Sequence, residues 1–137
     1  MGDKILVPID GSEPSSNALE FAIEKFPDSE ITVIHVLTPA DTGGEIYHLP
    51  QSEDELRDEG EAVVEEAVAL AANKGVEIDT EIKLGKPDRH ITKYAEENGF
   101  DQIIMGSHGR SGISRILIGS VAERVVRRSP VAVTIVR

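Results

Sequence analysis

Short, nearly unbroken apolar runs alternate along the chain with longer stretches in which apolar residues recur at helical spacing. "KILVPID" (4–10), "EITVIHVL" (30–37) and "DQIIMG" (101–106) are runs of the first kind, the pattern of strands buried on both faces. Between the first two, Ala18, Leu19, Ala22, Ile23 and Phe26 repeat with a helical period until Pro27. Ser12 is placed as N-cap and Pro14 in the first turn. From Glu53 to Lys74, the residues Val63, Val64, Ala67, Val68, Leu70 and Ala71 line one side of a charged helix that Gly75 ends. Its Glu-rich first turns read as a solvated face. "VEIDTEIKL" (76–84) alternates instead: Val76, Ile78, Ile82 and Leu84 share one face, with acids and a lysine on the other. Such a strand has a wet face and belongs at a sheet edge. "GKPDRHITKYAEENG" predicts a helix with Pro87 near its start and Gly99 at its end, and "SVAERVVRRSPVAVTIVR" a helix stopped before Pro130 and then a Val-rich strand.

The order β-α-β-α-β-α-β-α-β predicts an α/β domain spanning 1–137. Its core is a doubly wound, flavodoxin- or Rossmann-like five-stranded parallel sheet with right-handed crossovers and helices on both faces. With the wet-faced third strand at an edge and the first and fourth in the centre, the strand order is 3-2-1-4-5. Connections then reverse direction between strands one and four, where sheets of this kind bind ligands. Two residue patterns strain this layout. Pro8 lies in a central strand, tolerable only near its end, and the last strand is an edge although it is apolar on both faces, which a second copy of the chain covering it would explain. The aperiodic "TPADTGGEIYHLPQ" (38–51) is long for a connection and reads as a flap.

Charge redirects attention to the C-terminal part. The 137 residues carry a net charge of −11 and no cysteine, which sets aside disulfides, thiolate metal sites and a Cys nucleophile. Residues 107–137 hold six arginines (Arg110, Arg115, Arg124, Arg127, Arg128, Arg137) against Glu123 alone, a net of +5, leaving −16 on residues 1–106. So acidic a body repels a phosphate backbone, and nucleic acid is not the expected partner. No apolar run approaches a membrane span, and the N-terminus is unlike a secretory signal, so the expectation is a soluble, cytoplasmic protein.

The positive charge gathers around "GSHGRSGISRILIGS" (106–120), four glycines and four serines between a buried strand and a helix. Glycines at such a passage let the backbone approach a ligand, and the free N–H groups and dipole of a helix start favour an anion, phosphate above all. Neither G-x-G-x-x-G nor the P-loop pattern applies, since Gly119-Ser120 lacks the lysine. The spacing Gly106-x-x-Gly109, nine residues, Gly119-Ser120, together with "VPIDGS", "HV" and "GSVAERVVRRSPVAVTIVR", resembles the ATP-binding branch of the universal stress protein family, over the whole chain. The resemblance implies a dimeric flavodoxin-like domain with ATP between strands one and four, adenosine against Pro8, Ile9, Asp10 and the backbone at Val36, and the ribose near Asp10 and Gly106. It implies phosphates on Gly109, Arg110, Gly119, Ser120 and Val121, with Met105 and Ser107 lining the pocket. Mg or Mn would be held mainly by the phosphates.

Plainer readings stand beside these. Ser120-Val-Ala-Glu123 is also a capping box, and Asp10 is also suited to a turn with Gly11 or a helix cap. Arg124, Arg127 and Arg128 suit a last helical turn as surface cations. His35 reads as a core residue, His48 and His90 as surface residues, and His108 lies between motif glycines. No residue is assigned a catalytic role and no spacing predicts a protein metal site. The function expected is an ATP-binding regulatory protein whose nucleotide biases a dimer or a partner surface through residues 39–52, with hydrolysis slow at best. The alternatives are a nucleotide-independent dimeric scaffold and a slow ATPase.

Overall fold

The computed structural model describes residues 2–38, 52–108 and 118–137. Residues 39–51 of the expected flap thus lie outside the described residues, as do Gly109 and Arg110. The elements run β1 (Lys4–Pro8), α1 (Glu13–Lys25), β2 (Glu30–Leu37), α2 (Glu53–Asn73), β3 (Asp79–Leu84), α3 (Pro87–Glu97), β4 (Gln102–Gly106), α4 (Ser120–Arg128) and β5 (Ala132–Val136). All pairings are parallel and the order is β3-β2-β1-β4-β5, as the alternation predicts.

Alternate residues of the central strands serve two cores. Ile5, Val7, Ile9, Ile31, Val33 and Ile104 face α1 and α2, where Ala18, Leu19, Ala22, Val63, Val64 and Ala67 meet them. Leu6, Ile34, Ile103 and Met105 face α3 and α4, against Ile91, Ala95, Ala122 and Val125. Both faces are covered, which is why these strands read as unbroken apolar runs.

Pro8 is accommodated at the end of β1. The N–H of Ile9 donates to Ile34 on the β2 side, so the proline nitrogen one residue earlier faces β4. There the registered pairs are Ile5 with Gln102 and Leu6 with Ile103, and the missing donor falls beyond them. Several boundaries differ from the pattern. β1 stops at Pro8 rather than Asp10, β3 starts at Asp79 rather than Val76, and β4 starts at Gln102. Val76 and Ile78 pack against the core before their strand begins, while Leu84, expected on the same covered face, is exposed. In α2, Val68 points outward, and Leu56 and Gly60 are buried within the turns expected to be solvated. Gly60 is flush with β2: a Cβ there would stand 2.6 Å from Leu37 Cδ2 and 3.1 Å from His35 Cδ2. β5 is a sheet edge whose Val133, Thr134, Ile135 and Val136 are half-buried within the chain.

Candidate functional site

At the carboxyl ends of β1 and β4, where the winding reverses, a cavity of about 410 Å³ opens between the sheet and the starts of α3 and α4. It is lined by Pro8, Ile9, Asp10, Val36, Met105, Gly106, Ser107, Gly119, Ser120 and Val121. These are all of the residues singled out from the sequence that lie within the described part of the chain; Gly109 and Arg110 lie outside it. The lining also includes Ser15, Ile34, Thr38, Pro87, Ile91, His108 and Ala122. Ile34 and Thr38 follow from Val36 by the two-residue period of a strand, whereas Pro87 and Ile91 are brought in by the crossover of α3, which no local pattern announces.

The β1 rim is built by consecutive polar turns. Gly11 takes φ +82°, a conformation natural to glycine, and turns the chain from β1 into α1. Asp10 Oδ1 accepts the Ser12 N–H at 2.9 Å, and Ser12 Oγ in turn accepts the Ser15 N–H at 3.3 Å as the cap of α1. Asp10 therefore makes a turn and lines the cavity at once. Behind it, His35 Nδ1 lies 2.8 Å from the Ile9 carbonyl, so the half-buried imidazole braces the rim from the α2 side of the sheet.

Gly106 owes its lack of a side chain to packing: an added Cβ would meet Pro14 C at 2.7 Å and Ser15 N at 2.8 Å. The next residue, Ser107, is 2 % exposed. Its N–H donates to the Val136 carbonyl, its own carbonyl accepts the Gly119 N–H, and its Oγ lies 2.9 Å from His108 Nδ1.

The start of α4 corrects the capping-box reading. Gly119, at φ −73° and ψ 165°, is the N-cap, and no side chain caps the helix. Ser120 is already the first helical residue, one place too late for its hydroxyl to perform that service, and Glu123 is engaged with Arg127 at 3.0 Å. The first N–H groups of a helix have no intrahelical acceptor. Here Ser120, Val121 and Ala122 carry them at the cavity wall, and the dipole adds a partial positive charge. Much of the remaining lining is apolar, with Pro8, Ile34, Val36, Pro87 and Ile91. Such a cavity can hold a flat apolar ring and an anion.

Among the arginines of α4, Arg128 bonds to buried Asp88 at 3.0 Å. His90, expected at the surface, is half-buried with Nε2 3.0 Å from the Leu84 carbonyl. Among the described residues, no group of His, Cys, Asp and Glu is arranged to hold a metal ion, and no helix is long and apolar enough to cross a membrane.

The model of the universal stress protein family matches residues 1–137. Universal stress protein YxiE of Bacillus subtilis is 34% identical over 148 aligned positions, covering all of both chains. The solved structure of MJ0577, from Methanocaldococcus jannaschii, superposes with a TM-score of 0.81 at 29% identity, over 99% of this chain and 96% of that one. A universal stress protein solved in complex with cAMP superposes with a TM-score of 0.72 at 26% identity, over 99% and 97%.

Proposed function

The chain belongs to the universal stress protein family, and from that premise we propose that it is a regulatory protein that binds ATP in the cavity between β1 and β4. The observation that carries this reading is the start of α4: a helix opening on a glycine without a side-chain cap, its first three residues at the cavity wall. A helix end so placed favours an anion. The solved relative that holds cAMP supports an adenine nucleotide as the bearer of that anion.

In this reading the adenine lies against Pro8, Ile9 and the backbone of Val36. The ribose lies by Asp10 and Gly106, Asp10 keeping a carboxylate oxygen for a sugar hydroxyl while the other holds the Ser12 N–H. The phosphates take the N–H groups of Ser120 and Val121 and lie against Gly119, whose own N–H is held by the Ser107 carbonyl, with Gly109 and Arg110 completing the cradle and Met105 and Ser107 at its back. Mg²⁺ or Mn²⁺ is carried by the phosphates.

Asp10 is the one carboxylate among the described lining residues and is already held by Ser12. We therefore expect any hydrolysis to be slow, and the role to be regulatory. A second copy pairs through the β5 edge, whose half-buried apolar residues suit it, and the protein acts in the cytoplasm.

Calorimetric titration with ATP and Mg²⁺ tests the reading. Saturable binding, lost in Gly119→Val with the fold retained by circular dichroism, is the expected result. Absence of binding at millimolar ATP overturns it and leaves the scaffold role. Sedimentation with and without ATP reads the dimer and any switching of it.

A further inference from the structure

Asp88 is 4 % exposed, and its Oδ2 lies 3.0 Å from Nη1 of Arg128, whose side chain is half-exposed. The carboxylate sits in the first turn of α3, beside Pro87 of the cavity wall, and the guanidinium in the last turn of α4. Each charge suits the dipole of its own helix, and that alone would make the pair a fixture of the fold.

The anchorage of α4 gives it more to do. This helix has nine residues and buries only Ala122 and Val125, too short to hold itself by local propensity. The Arg127–Glu123 ion pair lies within the helix and ties it to nothing. Among the described residues, its tethers outside the apolar contact are the Gly119 N–H on the Ser107 carbonyl at one end and Arg128 on Asp88 at the other. α3 shares its apolar contact with α4 but has further ties to the sheet, the Tyr94 hydroxyl on Glu81 of β3 and the His90 ring on the Leu84 carbonyl. When the pair is broken, α4 is therefore the element that shifts, and its first turn is the anion-facing wall.

We infer that Asp88 and Arg128 are a positioning pair that aims the first turn of α4 at the phosphates of the bound nucleotide; the inference rests on the nucleotide reading above. Neither residue touches the ligand. The pair acts on the phosphate end and leaves the base end, carried by the sheet and by α3, in place.

The test titrates ATP–Mg²⁺ and adenosine, which has no phosphate, into the wild type, Arg128→Gln, Asp88→Asn, the double variant, Arg128→Lys and the control Arg127→Gln. Arg128→Gln is expected to weaken ATP by about tenfold and adenosine by less than about twofold, the scale of a coupling carried by one shifted element. The double variant is expected to be no weaker than the worse single one, Arg128→Lys to recover part of the loss, and Arg127→Gln to match the wild type. If Arg128→Gln does not fold, Arg128→Lys and Asp88→Asn carry the same comparison. An unchanged ATP-to-adenosine ratio in folded variants overturns the proposal alone. A wild-type chain that binds neither ligand overturns the nucleotide reading, and the proposal with it.

Discussion

The backbone N–H of Gly119 donates to the carbonyl of Ser107, while the N–H of Ser107 donates to the carbonyl of Val136. The residue after β4, the cap position of α4 and the last residue of β5 are thus joined through two consecutive peptide groups. The anion-facing helix start is tied to the edge strand by backbone alone, with no side chain to substitute. A ligand that pulls on α4 pulls on the end of β5, which gives the proposed nucleotide a physical route to the proposed dimer edge.

Gly106 is expected to tolerate nothing larger. Alanine there would set its Cβ 2.7 Å from Pro14 C, 2.8 Å from Ser15 N and 2.9 Å from Pro14 Cβ, and the first two are backbone atoms that cannot rotate aside. Gly106→Ala should cost about 1–3 kcal/mol, the range of overpacked cores, read by urea unfolding. A stability equal to the wild type would show that α1 and β4 can part at no cost.

His35 accepts no alternative tautomer in this setting. Its Nδ1 faces a carbonyl, that of Ile9, which can only accept, so Nδ1 must carry the proton. ¹⁵N chemical shifts of the imidazole should report the Nδ1–H form at neutral pH. His35→Phe, which keeps a ring beside Gly60 but leaves the carbonyl without this donor, should lower stability by about 1–3 kcal/mol and loosen the rim that carries Asp10.

Tyr94 is expected to ionise above the ordinary phenol value of 10.0. Burial raises it first, then the charge of Glu81, the hydrogen bond to Glu81 and the charge of Asp79. The sign follows from proton counting: above pH 10 the unfolded chain loses this proton while the folded chain keeps it. The contribution to stability is therefore complete below that pH and is lost as pH rises through the raised folded value. Ultraviolet titration of the wild type against Tyr94→Phe isolates the group. Glu81→Gln should bring its midpoint part of the way back down, with the effect of burial remaining.

The sheet order was legible because each central strand is apolar on both faces and the third, with Asp79, Glu81 and Lys83 along it, is not; that one asymmetry sets an edge and orders the rest. The β-strand walls of the cavity were legible for the same reason, as strand ends flanked by "DGS" and "GSH". Local pattern misled where two signals overlap within one residue. Ser120 and Glu123 satisfy the spacing of a capping box, yet the glycine before them takes the cap position, since its backbone reaches Ser107 there. Pro87, Ile91 and the Asp88–Arg128 pair were not legible at all, because the packing of α3 against α4 brings them to the site, and no spacing along the chain encodes that meeting.

Gly119 separates the two roles of a helix start most sharply, because one substitution should improve the fold and destroy the site. Its φ of −73° and ψ of 165° are extended backbone open to any residue, so no glycine is required for conformation. Aspartate is among the best N-cap residues and exceeds glycine by a few tenths of a kcal/mol, with a further gain from its charge at the positive end of the helix. Gly119→Asp should therefore match or slightly exceed the wild type in thermal unfolding. The same carboxylate would take the N–H groups proposed for phosphate and set a negative charge against the ligand, so ATP binding should fall below detection in calorimetry. A glycine kept where a better cap is available makes sense if the first turn of α4 is reserved for an anion that arrives from outside the chain. A stabilised Gly119→Asp variant that still binds ATP with wild-type affinity would move the phosphates elsewhere in the cavity.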